Sequence, residues 1–140
     1  MDRIEFSTKL VTTRENVKLS KNELCRQAGF NFNQLQRLET AFNNYKMELA
    51  IKYLDALGFC LYIQGKGPGR AVKIEHYDDL LKWVIAKHKE SNWTVATLAE
   101  TTGFSQSSIC NIMNKRQVVT VDLFLALCEA YELTINVKPK

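Results

Sequence analysis

The sequence predicts a mostly α-helical protein with a few short β-strands, built from two copies of one helical unit. Three observations carry this reading. Apolar residues recur at helical spacing over most of the 140 residues. Ser, Thr, Asn and Gly fall where these periodic runs start and stop. Finally, the chain repeats itself at an offset of 74 residues. Under that shift Leu24 falls on Leu98, Gly29 on Gly103, Phe30 on Phe104, Leu35 on Ile109 and Leu38 on Ile112. Leu49 meets Leu123, Ala56 meets Ala130, Leu61 meets Ile135 and Ile63 meets Val137. Upstream, Phe6, Leu10 and Val11 meet Leu80, Val84 and Ile85. A common helical rhythm can align apolar positions by itself, but the common Gly-Phe argues for repetition. The expected units are 1–66 and 75–140, joined by a turn and linking strand at 67–74.

Within the first unit the expected helices are short. Residues 3–16 place Phe6, Leu10 and Val11 on one face. Ser20, with Glu23 three residues on, has the form of a capping box opening the second helix, and Gly29 closes it. Asn31 caps a third helix anchored by Leu35 and Leu38. A fourth spans about 46–57, carried by Leu49, Tyr53, Leu54 and Leu57. In the second unit helices are expected near 77–89, 94–102, 105–113 and 120–131, with Thr94 and Ser105 as caps. The segments 59–63, 71–75 and 133–137 read as strands that can form one small sheet tying the units together. Between the first two, "GKGPGR" is a turn that no helix would tolerate.

Composition narrows the function classes. The net charge of +4 permits nucleic-acid binding without requiring it, and it is uneven. Residues 1–70 carry 11 Lys and Arg against 7 Asp and Glu, whereas residues 71–140 carry 8 of each. Phosphate contacts, or simply uneven solvation, account for that bias. Cys25, Cys60, Cys110 and Cys128 form no C-x-x-C pair and only His76 and His88 accompany them, so no zinc site and no other metal or cofactor is expected. Cys25 and Cys128 read as core and Cys110 as exposed, while Trp83 and Trp93 read as core and interdomain packing. No secretory or membrane-spanning segment is visible, and a reduced, cytoplasmic protein is the expectation. No carboxylate pair has catalytic spacing and neither histidine has a nucleophile partner, so an enzyme is not expected.

The chemistry concentrates on the third helix of each unit. A Gly turn crosses it steeply over the second helix, so its first turn stands out from the body. Its exposed face carries Asn31, Asn33, Gln34, Gln36 and Arg37 in one unit, and Gln106, Ser107, Ser108 and Asn111 in the other. Asn and Gln can pair bidentately with adenine and Arg with guanine, while Ser lets a helix approach base edges closely. Ordinary solvation explains the same polarity equally well.

Both units resemble the phage-repressor and Cro type of helix-turn-helix domain. The resemblance lies in "LSKNELCRQAGFNFNQLQRLE" at 19–39 and "WTVATLAETTGFSQSSICNIM" at 93–113. It implies a lambda-repressor-like helical fold and a sequence-specific, double-stranded DNA-binding regulator of transcription, commonly dimeric, with the third helix in the major groove. Groove-facing positions then fall on Asn31, Phe32, Asn33, Gln36 and Arg37, and on Ser105, Gln106, Ser107, Cys110 and Asn111. Lys21, Gln34, Ser108, Lys115 and Arg116 are the expected phosphate contacts, and Lys66 and Arg70 can form a minor-groove wing or a plain hairpin. The chain departs from the family pattern where a Gln often follows the cap of the second helix, which is Lys21 in one unit and Val95 in the other, and at Met113, which replaces the Glu kept as Glu39. Together with an exposed Phe32 they leave a second reading open, an antitoxin-like or adaptor module that binds a protein instead. Two unlike units in one chain also suggest a built-in pseudo-dimer reading unlike half-sites.

Overall fold

The computed structural model describes all 140 residues. It contains eight helices and three strands. The order is α1 (Arg3–Val17), α2 (Lys21–Ala28), α3 (Phe32–Glu39), α4 (Met47–Leu57), β1 (Phe59–Gln64), β2 (Val72–Ile74), α5 (Tyr77–Glu90), α6 (Val95–Thr102), α7 (Gln106–Met113), α8 (Val121–Ala130) and β3 (Thr134–Pro139). The protein is thus mostly α with one small antiparallel sheet, ordered β2-β1-β3.

The 74-residue shift reappears in the backbone. Gly29 and Gly103 end α2 and α6 in the left-handed conformation, at φ 77° and 79°, where a side chain is disfavoured. Ala41 and Lys115 adopt it at φ 53° and 59°, just beyond α3 and α7. Gly58 and Glu132 adopt it after α4 and α8, at φ 78° and 57°. So at these three turns equivalent residues turn the chain alike even where side chains differ, whereas Lys18, left-handed after α1 at φ 64°, has no such counterpart after α5.

An approximate two-fold axis relates the halves. Met47 donates its backbone N–H to Val119 at 2.9 Å, and Val121 donates its own to Tyr45 at 2.8 Å. These four residues are two equivalent pairs under the shift, and between them Lys46 bridges antiparallel to Thr120, its own equivalent. In the sheet Tyr62 stands opposite Asn136, again its own equivalent. Equivalent residues that face one another mark the axis at both points. It enters at the Lys46–Thr120 bridge, runs between α4 and α8, and leaves through the middle of β1 and β3. Strand β2 breaks the symmetry, since nothing pairs with the corresponding outer edge of β3.

A single cluster of 29 buried residues runs through both halves, so they share one core. Phe6, Leu10, Leu35, Tyr53 and Leu54 join it from the first half, and Leu80, Ile109, Val121, Phe124 and Leu127 from the second. Each large apolar side chain removed from water contributes about 1.5–3 kcal/mol. That burial, more than helix propensity, holds elements as short as the eight-residue α2, α3, α6 and α7.

Three local expectations change. The linking strand covers only 72–74, because the N–H groups of Glu75 and His76 turn to the Asp79 carboxylate at 3.3 and 3.1 Å, which caps α5. At Ser20 only half the capping box forms: its hydroxyl accepts from the Glu23 N–H, but the Glu23 carboxylate turns to Arg26 and Gln27. The tryptophans are half-buried and pack within the second half, Trp83 edge-on to Phe124 and Trp93 edge-on to Tyr131. Cys25 is half-buried, Cys60 and Cys128 are buried, Cys110 is exposed, and all four are free. No helix is long and apolar enough to cross a membrane.

Candidate nucleic-acid interface

Helix α3 is short, capped and turned outward. Leu35 and Leu38 are buried, whereas Phe32, Asn33, Gln34, Gln36 and Arg37 are exposed. Its start is a complete capping box. Asn31 Oδ1 accepts from the Gln34 N–H at 2.8 Å, and Gln34 Oε1 accepts from the Asn31 N–H at 3.1 Å. Each side-chain carbonyl therefore gives one of its two acceptor positions to the cap, and both amide NH2 groups remain free as donors.

Helix α7 repeats the arrangement. Ile109 and Ile112 are buried, Gln106, Ser107 and Cys110 are exposed, and Ser108 and Asn111 are half-buried. Ser105 Oγ accepts from the Ser108 N–H at 3.1 Å and donates to Ser108 Oγ at 3.0 Å. That makes Ser105 a helix cap first, with less free hydrogen-bonding capacity than its exposure suggests.

The halves differ most beneath these helices. Glu39, at the end of α3, is nearly buried and accepts from Arg14 Nε at 2.7 Å and from Tyr53 Oη at 2.6 Å. Burial alone lowers the Arg14 pKa, but the hydrogen bond and charge of Glu39 outweigh it and the net direction is up. Burial, then the Glu39 hydrogen bond, push the Tyr53 phenol well above its ordinary value. The set pins α3 to α1 and α4. Lys21 completes it, 3.0 Å from Gln36 Oε1 and 3.9 Å from Glu39. Lys21 was expected on a phosphate and Gln36 on a base. In the folded chain Lys21 lies against Gln36 and the Glu39 carboxylate, and Gln36 keeps its amide NH2 as a free donor.

The equivalent positions in the second half are His88, Val95, Met113 and Leu127. No ionic set can form there. His88 Nδ1 is buried without a hydrogen-bond partner. Helix α7 is therefore held by apolar packing, on a base that has lost its polar connections.

Four cations remain unpaired near the helices: Arg37, Lys46, Lys115 and Arg116 are exposed and make no ion pair. A groove of about 430 Å³ joins Gln34 and Arg37 to Asn43, Asn44 and Lys46. It leads from α3 to the axis at Lys46. Asn44 also crosses the axis, accepting from the Asp122 N–H at 3.0 Å. Sequence reasoning missed Asn43, Asn44 and Lys46. Their signal is faint, since only the 46/120 equivalence marks the position as axial.

This groove fixes which end of the molecule α3 occupies. The Lys46–Thr120 bridge is at one end of the axis and the sheet at the other, with α4 and α8 between. Helix α3 borders the bridge end, and the two-fold puts α7 at the same height. The wing residues lie elsewhere. Lys66 and Arg70 sit in the turn after β1, at the sheet end, and Lys66 pairs with Glu132 at 3.5 Å. Glu132 in turn shares a hollow with Thr101 and Thr102 at the end of α6. No three His, Cys, Asp or Glu side chains gather where they could hold a metal. No protein-family model, curated protein or solved structure matches the chain.

Proposed function

We propose that this chain is a sequence-specific DNA-binding regulator of transcription that carries both half-site readers of a repressor-like dimer in one polypeptide. The observation that carries the reading is the placement of α3 and α7. Two capped helices with exposed Asn, Gln, Ser and Arg side chains lie at one end of an internal two-fold axis, with Arg37, Lys46, Lys115 and Arg116 unpaired around them. Duplex DNA has matching local two-fold symmetry, and readers related that way meet half-sites about one helical turn, or about 34 Å, apart. The axis makes the half-sites inverted, and the unlike helices make them different in sequence.

In this reading Arg37, Asn33 and the free amide of Gln34 face one half-site, and Gln106, Ser107 and Asn111 the other. Lys115 and Arg116 meet phosphates beside α7, and Lys46 meets the centre of the site. Binding to mixed duplexes across a salt series tests it. Affinity should fall steeply with salt as counterions are released. Absence of binding at micromolar protein in low salt would defeat it.

One observation favours a second reading. Ile4, Phe32 and Phe42 are 66%, 51% and 68% exposed, where the second half has Asp78, Gln106 and Arg116. An apolar surface confined to one half suits a protein partner, as in an antitoxin-like or adaptor module. Stoichiometric co-purification with a protein, without duplex affinity, would establish it.

A further inference from the structure

The internal two-fold has one conspicuous gap. Strand β2 covers the outer edge of β1, pairing Val72, Lys73 and Ile74 with Ile63, Tyr62 and Leu61. Rotated about the axis, β2 falls beside β3, against Ile135, Asn136 and Val137. No strand of the chain lies there. A free edge offers unpaired backbone N–H and C=O groups to any extended segment that can reach them.

The edge is also reachable. Between β3 and α1 run two adjoining hollows of about 230 and 270 Å³ that share Lys9 and Asn136. One is lined with apolar groups, among them Leu125, Cys128 and Leu133. The other is lined by Thr8, Thr12 and Thr13 of α1. On the occupied edge Ile74 is 1% exposed, so a strand seated there drives an apolar side chain into the core.

We infer that the free edge of β3 is a docking site for an extended peptide segment of a partner protein, added as a fourth, antiparallel strand. The occupied edge supplies the pattern: apolar, polar, apolar, as in Val72-Lys73-Ile74. Charge supplies the middle residue. Lys9 is the only charged side chain lining either hollow. The segment is therefore of the Val-Glu-Ile kind, with two β-branched residues flanking a carboxylate. Main-chain hydrogen bonds supply affinity and the alternate side chains supply selection. The site is at the sheet end, away from α3 and α7, so it stands independently of the DNA reading.

The test uses the full chain, isotope-labelled, and three capped peptides: Arg-Ala-Val-Glu-Ile-Glu, the same with Lys for the central Glu, and the same with Pro for the Ile. The Glu peptide should shift amides of Ile135–Val137 and of Thr12 and Thr13, and slow amide exchange along β3. The Lys peptide should bind at least threefold more weakly, and K9E should reverse that order. The Pro peptide should not bind, because its Ile position pairs opposite Ile135, which presents its N–H and C=O to the free edge, and proline has no N–H to give there. No shift at millimolar Glu peptide, shifts confined to other surfaces, or equal binding by the Pro peptide would each overturn the proposal.

Discussion

Lys46 and Thr120 face each other across one antiparallel bridge, and they are the same position in the two halves of the chain. That relationship converts a sequence repeat into a geometry. A repeat arranged by translation would present its readers as direct copies. Facing equivalents require rotation instead, so α3 and α7 are presented in opposite senses. For the proposed DNA reading this means inverted half-sites.

Substitution at the readers should therefore be local. Arg37→Ala should weaken discrimination in one half-site by about 1–3 kcal/mol if its guanidinium pairs with guanine. Gln106→Ala should act on the other half-site by a similar amount and leave the first unchanged. Competition binding against duplexes altered in one half at a time checks both. If either variant relaxes both halves equally, the assignment of one helix to each half is wrong.

Lys46→Gln should weaken binding to all duplexes alike and lower the salt slope by about one, because an axial cation meets phosphate rather than base edges. The parallel change at the expected but engaged phosphate contact, Lys21→Gln, should change the slope less and stability more. Salt-dependent titrations alongside chemical denaturation separate the two.

The ionic set beneath α3 should be sensitive to removal of one member. Glu39→Ala leaves Arg14 nearly buried without its partner, a change that costs about 3–5 kcal/mol in other proteins. In the counterpart set three of the four positions are apolar, with His88 the fourth. Changing Glu39 to Met and Arg14 to Leu together should cost less than Glu39→Ala alone, as measured by urea unfolding.

Backbone strain makes a paired prediction at the ends of α4 and α8. Gly58→Ala should destabilise by about 1 kcal/mol, since a Cβ there meets nothing within 4 Å and only the left-handed backbone objects. Glu132→Gly should stabilise by about 1 kcal/mol for the same reason, the exposed Lys66 pair contributing little. Thermal unfolding reads both.

Alkaline stability follows from buried acids held protonated. Burial raises the Cys128 thiol from 9.0 to about 12. Burial, opposed by the Ser7 hydrogen bond, raises the Tyr45 phenol from 10.0 to about 12. Both folded pKa values lie above the unfolded ones, so the unfolded chain loses these protons first. Their stabilisation is complete below pH 9 and declines from there toward about pH 12. Urea midpoints from pH 8 to 11 should be flat at first and then fall, and Cys128→Ser should delay the onset.

Much of the fold was legible because its signals are local. Caps at Asn31, Thr94 and Ser105, and the turns at Gly29 and Gly103, depend on a few neighbouring residues. So does the inward spacing of Leu35 and Leu38. The candidate site was legible only in part. That Asn31, Phe32 and Gln106 are exposed follows from helical period. That Lys21 reaches across to Gln36 and Glu39 does not, because the distance between them in sequence is closed by the turn. The axis at Lys46 and Thr120 was hidden for the same reason. The repeat shows in one dimension, but its rotation is set by strand register.

The most direct measurement of the central claim is selection from randomised duplexes with the full chain, followed by footprinting of the enriched site at concentrations where the protein is monomeric. One monomer should protect two unlike half-sites in inverted orientation, about 34 Å apart, with R37A and Q106A each erasing enrichment on one side. A site made of two identical half-sites, bound only by a dimer and indifferent to Gln106, would contradict it.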